Sequence, residues 1–317
     1  MKLNPTLLAL AVLGTLAGAA AAQSTVTVYG KLDAGVGKAI GTKDKTVLDG
    51  AGSRLGFRGT EALGDGLKAQ FAIEHRFDPQ TGAANKAATF WQGFSTVGLS
   101  GSFGSLNLGR QYTASYSLIQ NQIDPWGGET VAQLRDIAMK VGGLYATRVA
   151  SSVRYDYSAN GLSFGASVAG SNENGKAEKP WSLGLAYAAG PLYVGAGYEV
   201  TGDHVAAKAN VLSLGGRYNF GVAELALAYS LGKDKANAKY PGGLVGLTAP
   251  LGAGDLKLGF AVHRRDAAGV TTTVNSKLGV GYHYKLSKRT KIYMDYGHDS
   301  KVKTEASGYD LGVQHNF

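Results

Sequence analysis

The residues of this chain that could do chemistry are arginines at regular places in alternating stretches. In SRLGFR, Arg54 and Arg58 share one parity, and Leu55 and Phe57 have the other. Arg76 has the polar parity of its stretch, LKAQFAIEHRF. A guanidinium stays charged at any physiological pH. The chemistry that these residues favour is electrostatic attraction of small anions.

Residues for catalysis or metal binding show no comparable order. The chain has no cysteine and its six histidines are scattered, so a zinc site is not expected. GxxxxGK[ST], HExxH and GxSxG motifs do not occur. No spacing nominates a Ser–His–Asp triad. We therefore expect no catalytic residue, no metal and no cofactor.

Residues 1–22 have the pattern of a signal peptide. The stretch MKLNPTLLALAVLGTLAGAAAA has Lys2 near its start, continues with an apolar run and ends in small residues, the last of which are Ala20, Ala21 and Ala22. This order matches a charged start, an apolar middle and an A-x-A cleavage site. A membrane anchor is the weaker alternative, because a spanning helix needs about 20 apolar residues. We expect the mature chain to begin at Gln23.

The charge of the chain is positive but dispersed. Lys and Arg outnumber Asp and Glu by 32 to 23, which gives a formal net charge of +9. Nucleic-acid binders concentrate such charge on a helix or beside stacking aromatics, and neither feature is present. The sequence therefore gives no support for nucleic acid as a partner.

Alternation with period two runs through nearly the whole chain and predicts about sixteen strands. In KLGVGYHYKL, Leu278, Val280 and Tyr282 oppose Gly279 and Gly281. The predicted strands lie near 25–38, 52–60, 66–77, 89–100, 103–112, 147–157, 161–170, 181–189, 192–201, 210–220, 222–232, 243–250, 254–265, 275–286, 290–299 and 307–317.

The links between these strands alternate in length. Turns such as SANG and AAGP are short, whereas the links 39–51, 78–88 and 233–242 are longer and polar. Short turns at one end and longer loops at the other are typical of a transmembrane barrel. No linker divides residues 23–317, so we expect one domain.

A soluble sandwich also alternates, so other features must separate it from a barrel. The predicted strands have the length that crosses a bilayer at a tilt. Tyr and Phe concentrate near strand ends, as an interfacial girdle requires. The last strand, YDLGVQHNF, ends in the wall without a tail. We expect it to pair with the first strand, with Phe317 at the membrane interface.

One link is exceptional in length. Residues 113–146, between the fifth and sixth predicted strands, hold TASYSLIQNQIDPWGGETVAQLRDIAMKVGGLYA. A structureless loop of this length is uncommon and is usually functional. Part of it, ETVAQLRDIAMKV, could form a short helix.

Six segments resemble the Gram-negative general porins, in the branch common in β-proteobacteria and neisseriae. They appear in order and surround the long link, and the resemblance covers essentially residues 23–317. The segments are VTVYGKLDAGV (26–36), GSRLGFRGTEALGDGLKAQFAIE (52–74), VGLSGSFGSLNLGRQY (97–112), SSVRYDYS (151–158), LSKRTKIYMDYGH (286–298) and GVQHNF (312–317).

The resemblance implies an all-β fold, a 16-stranded antiparallel transmembrane β-barrel in the outer membrane of a Gram-negative bacterium. Such barrels are usually homotrimers, and their third loop folds into the lumen. They lie in the outer-membrane lipid and pass small hydrophilic solutes and inorganic ions through a water-filled lumen, without a cofactor. In this chain we expect a mild anion preference.

The resemblance also nominates a constriction, with a basic wall that faces an acidic loop. Arg110 has the parity of Leu106 and Leu108, so it needs a bulge to turn inward. The nominated wall residues are Arg54, Arg58, Arg76, Arg110, Arg148 and Arg154. The nominated acids are Glu129, in DPWGGET, together with Asp124 and Asp136.

The sequence departs from the family at one position and leaves alternatives open. Gln92 and Gly93 stand where many relatives carry an arginine, which bears on the width and charge of the pore. A substrate-specific channel would be marked by an aromatic slide. A secreted β-sheet adhesin would be soluble without detergent. An outer-membrane hydrolase would need a nucleophile–histidine pair outside the wall.

Overall fold

Strands occupy most of the chain that the structure describes. The structure is a computed structural model and describes residues 24–85, 88–139, 143–170, 179–202 and 209–317. The signal peptide predicted for residues 1–22 lies outside these ranges.

The described residues form seventeen strands, whose bounds follow in chain order. They are β1 (Thr25–Lys38), β2 (Thr46–Leu48), β3 (Arg54–Gly64), β4 (Leu67–Arg76), β5 (Phe94–Gly101), β6 (Gly104–Tyr112), β7 (Arg148–Ala159), β8 (Leu162–Ala169), β9 (Trp181–Ala189), β10 (Leu192–Val200), β11 (Ala209–Asn219), β12 (Glu224–Asp234), β13 (Lys239–Leu251), β14 (Gly254–Ala267), β15 (Val270–Lys285), β16 (Thr290–Asp299) and β17 (Ser307–Asn316).

The sheet closes on itself through β1. From β3 to β17 each strand pairs antiparallel with the next along the chain. The first part of β1, Thr25–Lys31, pairs with β3, and its second part, Lys31–Lys38, pairs with β17. Among the described residues, sixteen long strands thus form a closed antiparallel barrel, as the sequence predicts. The short strand β2, which the alternation did not reveal, lies beside Gly35–Gly37 of β1.

The chain end is built into this closure. The backbone N–H of Gly30 donates to the carbonyl of Phe317 at 3.0 Å, and the N–H of Phe317 donates back at 3.1 Å. The Phe317 ring covers Gly30, where a Cβ would lie 2.3 Å from the ring. The ring is 40% exposed on the outer face.

The apolar face of the strands points outward. In β9, Leu183 and Leu185 are 44% and 52% exposed, whereas Ser182 of the same strand is 1% exposed. An isolated soluble barrel would leave this apolar surface in water, but lipid contacts it favourably. In lipid every backbone polar group must be paired, and a closed barrel meets that requirement.

Exposed aromatic side chains lie near both ends of the strands, where a membrane interface accommodates amphipathic rings. At the short-turn end they are Phe103, Tyr157, Tyr187, Tyr218, Phe220, Tyr284 and Phe317. Towards the other end they are Trp181, Tyr198, Tyr296 and Tyr309.

Tight turns join the strands at one end of the barrel. These links hold two to four residues each. Asp65–Gly66 and Asn160–Gly161 have positive φ at both positions, between 49° and 81°. Asp-Gly and Asn-Gly pairs accept this geometry, whose twist matches that of the flanking strands. The predicted short turn in SANG is confirmed, whereas that in GTEALGDG shrinks to Asp65–Gly66, because β3 continues to Gly64.

Links at the opposite end are mostly longer, with two corrections. The polar link predicted at 233–242 shrinks to 235–238, because β12 and β13 continue to pair as far as Lys233 and Lys239. β14 and β15 also extend, past a bulge between His263 and Arg264, and only Ala268–Gly269 separate them.

The longest link, residues 113–147, is called the inner loop here. Its described residues hold a π-helical turn at Tyr116–Gln120 and the helix α1 (Arg135–Ala138), which is shorter than the 129–141 segment allowed by the sequence. In the described part of the chain, no helix is long and apolar enough to cross a membrane.

Leu185→Arg tests the outward orientation of the wall. Leu185 lies in the middle of β9, where a charge facing lipid costs about 2–4 kcal/mol. Leu162→Arg is the control, since Leu162 pairs with Tyr187 near the interface and the cost there is about 0–1 kcal/mol. Reversible denaturant unfolding in lipid vesicles measures both. Equal costs at the two positions would contradict this orientation.

Candidate functional site

The inner loop lies inside the barrel, against the wall formed by β8 to β16. Its π-helical turn contacts β9, β10 and β11, and α1 contacts β12 to β15. The predicted folding of the third loop into the lumen is therefore what the structure has.

A row of glycines on the inner wall lies directly beneath this loop. Gly242 would place a Cβ 2.1 Å from the carbonyl oxygen of Ala138, and Gly279 would place one 2.5 Å from that of Ala132. Real Cβ atoms do not approach so closely, so these positions admit no side chain while the loop stays in place. The glycine bed consists of Gly165, Gly184, Gly195, Gly197, Gly215, Gly242, Gly246, Gly259, Gly279 and Gly297.

Apolar side chains of the loop fill the space beside the glycine bed. Ile119, Ile123, Trp126 and Leu134 are at most 2% exposed and belong to one cluster with wall residues such as Leu244. Burial of this kind stabilises by roughly 1.5–3 kcal/mol for each large side chain. The main apolar cluster of the described chain thus lies inside the barrel, between loop and wall.

Wall side chains satisfy the backbone groups at the root of the loop. Glu199, which is 1% exposed, accepts hydrogen bonds from the Ala146 N–H at 3.1 Å and the Thr113 hydroxyl at 3.2 Å. The Ser115 N–H donates to the Ser182 hydroxyl at 2.8 Å. One carboxylate therefore joins the start and the end of the loop.

The tip of the loop is held in the same manner. The Trp126 indole donates to Asp295 at 2.7 Å, and the Thr130 N–H donates to the Gly50 carbonyl at 2.8 Å. Lys277 donates to the Gln133 carbonyl at 2.7 Å. Buried backbone groups are costly when unpaired, so these bonds fix the position of the loop.

Asp124, one of the nominated acids, organises the loop rather than lining the pore. Its carboxylate accepts the N–H groups of Trp126 at 3.1 Å and Gly128 at 2.9 Å. It also accepts those of Leu134 at 3.0 Å and Arg135 at 3.1 Å. Asp124 is 8% exposed, and four backbone donors share its charge.

Glu129, the first nominated acid, forms an ion pair with the wall. Lys31 donates to one carboxylate oxygen, and Gln314 donates to the other at 3.0 Å. Lys291 lies 3.9 Å away. Burial raises the pKa of Glu129, but Lys31 and the hydrogen bond from Gln314 outweigh it and hold that pKa below its ordinary value of 4.5.

Asp136, the third acid, lies in α1 beside a cation of the same loop. Its Oδ1 is 3.4 Å from the Nε of Arg135, and its side chain is 29% exposed. Sequence reasoning did not nominate Arg135. The acidic loop expected from the resemblance therefore carries a fixed cation as well.

Three of the basic residues line up across neighbouring strands. Lys31 of β1 pairs in register with Arg54 of β3, which pairs with Arg76 of β4. Neighbouring strands are about 4.8 Å apart, so the three form a row. Arg58 lies further along the same face of β3, with its guanidinium 5.1 Å from the centre of the Tyr29 ring.

Two of the nominated arginines are compensated by carboxylates. Arg76 pairs with Glu74 at 3.0 Å. Arg154 pairs with Asp156 at 2.6 Å and donates to the carbonyl of Tyr112 at 3.0 Å and to the hydroxyl of Ser117 at 2.6 Å. Arg154 thus holds the start of the inner loop.

The two arginines nearest the loop root, Arg148 and Arg110, contact different residues. Arg148 donates to the Tyr112 hydroxyl at 2.6 Å, and its guanidinium lies 4.2 Å from the centre of that ring. The expected irregularity at Arg110 is present, between Gly109 and Gln111. The Arg110 guanidinium donates to the Gln92 carbonyl at 2.8 Å.

Gln92 itself is buried and adds no charge. It is 5% exposed and donates to the carbonyl of Arg76 at 2.8 Å. The position where many relatives carry an arginine is therefore occupied here by a neutral side chain that braces the wall.

Comparison with known proteins places this architecture in a family. A family model described as Gram-negative porin matches residues 9–304. An outer membrane porin protein of Bordetella pertussis is 30% identical over 99% of this chain and 100% of its own length. Outer membrane porin protein 32 of Delftia acidovorans is 33% identical over 92% of this chain and 88% of its own.

Solved structures show the same likeness. The anion-selective porin from Comamonas acidovorans matches with a TM-score of 0.77 at 26% identity, over 93% of this chain and 100% of that one. A closed barrel with a loop folded inside it defines a channel of the outer membrane. This chain belongs to the Gram-negative porin family. It is an outer-membrane porin of a Gram-negative bacterium, and therefore a channel protein.

Gly242→Ala tests the glycine bed. The new Cβ would meet the Ala138 carbonyl, so the loop must move away from the wall into the open lumen, at a cost of about 1–3 kcal/mol. We expect lower single-channel conductance. Gly243→Ala is the matched control, because Gly243 faces outward and its Cβ would lie 3.5 Å from the nearest atom. Identical conductance in both variants would contradict the claim that the glycine bed allows the close approach of the loop.

The ion pair of Glu129 predicts how the loop tip responds to acid. Because the pKa in the folded protein is depressed, the stabilisation is fully present above the ordinary value of 4.5 and is lost as pH falls through the lower folded value. The protection of the Thr130 amide against hydrogen exchange, measured relative to the intrinsic rate at each pH, should therefore fall only in acid. In the Glu129→Gln variant the Thr130 amide should exchange faster at neutral pH, and its protection should not fall further in acid. The same pH profile in both proteins would contradict the assignment.

Proposed function

We propose that this porin passes small hydrophilic solutes and inorganic ions by diffusion, with a mild preference for anions. The observation that carries the proposal is that several of the described arginines of the inner wall form no ion pair, whereas unpaired acids such as Asp33 and Asp310 are only 1% exposed. In the described part of the chain, Arg54, Arg58 and Arg148 form no ion pair with a carboxylate, whereas the acids Glu74 and Glu129 are already paired.

The magnitude of this excess charge supports a mild preference. A unit charge 4 Å from a passing ion is worth about 1 kcal/mol in water and more in the lower dielectric of a narrow pore. Exposed charges are screened over about 8 Å at physiological ionic strength. The preference should therefore weaken with salt. The anion-selective porin from Comamonas acidovorans, with 26% identity, agrees with this direction.

A substrate-specific channel is less well supported. An aromatic slide would present rings to the passing solute. Trp126 is 2% exposed, and its indole donates to Asp295 of the wall. Tyr116 and Tyr145 are 4% and 9% exposed. Tyr112 is partly exposed but lies beneath the Arg148 guanidinium. Trp126 therefore supports the packing of the loop tip, and the three tyrosines support that of the loop root.

Two further parts of the proposal concern processing and assembly. We infer removal of residues 1–22, which N-terminal sequencing of outer-membrane protein would test by a start at Gln23. We also infer a homotrimer, which predicts conductance that appears in steps of three. A uniform single step from a protein that cross-links only as a monomer would contradict the trimer.

The anion preference is tested by the reversal potential across a KCl gradient in planar bilayers. We expect Arg54→Gln/Arg148→Gln to lower the chloride-to-potassium permeability ratio by about fivefold, as expected for about 1 kcal/mol. Arg110→Gln should change the ratio less, since its guanidinium is bonded to the Gln92 carbonyl.

Three outcomes of this experiment are distinct. A chloride-favouring wild type whose preference falls in the double variant supports the proposal. A conducting wild type that favours potassium contradicts the anion preference but agrees with the channel function. An equal fall in Arg110→Gln and in the double variant contradicts the choice of residues.

A further inference from the structure

Arg135 lies on the side of the inner loop that faces away from the wall. Its neighbours Leu134, Ala138 and Met139 are at most 1% exposed and pack against the wall. The Arg135 guanidinium instead bonds within the loop, and it remains partly exposed. The side chain therefore lies among residues of the loop rather than against the wall, and it is 12% exposed.

The loop is shaped to hold this guanidinium. Its Nη1 donates to the Asn121 Oδ1 at 2.7 Å and to the Gly127 carbonyl at 3.0 Å. Gly128 has a φ of +74°, and a Cβ there would lie 2.0 Å from the Arg135 Cζ. A side chain at Gly128 would displace the guanidinium, so the two glycines of DPWGGET form its seat.

A stack of rings connects this cation with the basic wall. The Arg135 guanidinium lies 5.4 Å from the centre of the Tyr116 ring. Tyr116 lies 4.8 Å from Tyr112, and the Arg148 guanidinium lies 4.2 Å from Tyr112. Guanidinium groups over tyrosine faces are favourable and lose little freedom. The positive charge of the wall thus continues onto the loop.

The three acids of the loop are each bound to other groups of the protein. Asp124 accepts four backbone N–H groups, and Glu129 is paired with Lys31. Asp136 lies beside Arg135 itself. A loop that is acidic in the family pattern is thereby balanced by fixed positive charge in this chain.

We propose that Arg135 is a selectivity-determining residue of this porin, because its fixed charge balances the acids of the loop and so removes the repulsion that a negative loop would exert on anions. The inference rests on the proposed anion preference. A passing anion then meets Arg54 and Arg148 on the wall opposite a loop whose charge is balanced, instead of a positive wall opposite a negative loop.

The chain contains no cysteine, so Arg135→Cys provides a unique thiol for the test. We expect this substitution to lower the chloride-to-potassium permeability ratio by about twofold to fivefold. A positively charged thiosulfonate reagent should restore the ratio, a negatively charged one should lower it further, and a neutral one should leave it. Lys233→Cys, at an exposed outward position of β12, is the control and should not respond.

The outcomes distinguish a failure of this inference from a failure of the proposed anion preference on which it rests. A wild type without anion preference refutes the proposed function. An anion-preferring wild type, with a fully labelled Arg135→Cys whose ratio does not change, refutes only the role of Arg135. If Arg135→Cys does not conduct, Arg135→Lys and Arg135→Gln replace it. The lysine variant should keep the preference and the glutamine variant should lose it, and equal ratios would refute the inference.

Discussion

The close approach of the inner loop to wall positions without side chains is the constraint on which the rest of the structure depends. A Cβ at Gly242 or Gly279 would enter the space of a loop carbonyl. Glycine is entropically unfavourable in a strand, so these positions have a cost that only the loop contact offsets. The approach also buries backbone groups of the loop, and residues such as Asp124 and Glu199 must satisfy them.

The placement of the loop decides which charges meet the solute. The glycine bed lies on β8 to β16, so the part of the lumen that stays open faces β1 and β3 to β6. Arg54 and Arg58 stand on that wall, and Arg148 stands where the loop returns to it. The carboxylate of Glu129 reaches across to Lys31 and is compensated there. The same docking that shapes the pore therefore also removes negative charge from it.

Most of the fold could be predicted from the sequence, because alternation reports directly which face of a strand meets lipid. The parity of Arg54 and Arg58 placed both on the inner face, as the register with β1 shows. Parity also identified Arg110 as a position that needs an irregularity, and one is present between Gly109 and Gln111.

The loop contacts could not be predicted in this way, because they depend on which residues the closed barrel brings together. Asp124 and Glu129 are both acids of one turn in the sequence. Only the fold separates a carboxylate bound by backbone N–H groups from one that pairs with Lys31. Arg135 follows no alternation, so nothing in the sequence marked its side of α1. The isolated glycines in polar positions were the available signal for the bed.

Disulfide trapping between the loop tip and the link that joins β2 to β3 tests the central claim, an inner loop fixed in place beside an open pore, most directly. The Thr130 N–H donates to the Gly50 carbonyl at 2.8 Å, and a Cβ on Gly50 would lie 3.3 Å from the Thr130 Cγ2. In the double variant Gly50→Cys/Thr130→Cys, a disulfide should form spontaneously. Single-channel conductance should then be the same before and after reduction. A folded double variant that forms no disulfide, or a conductance that changes on reduction, would contradict the claim.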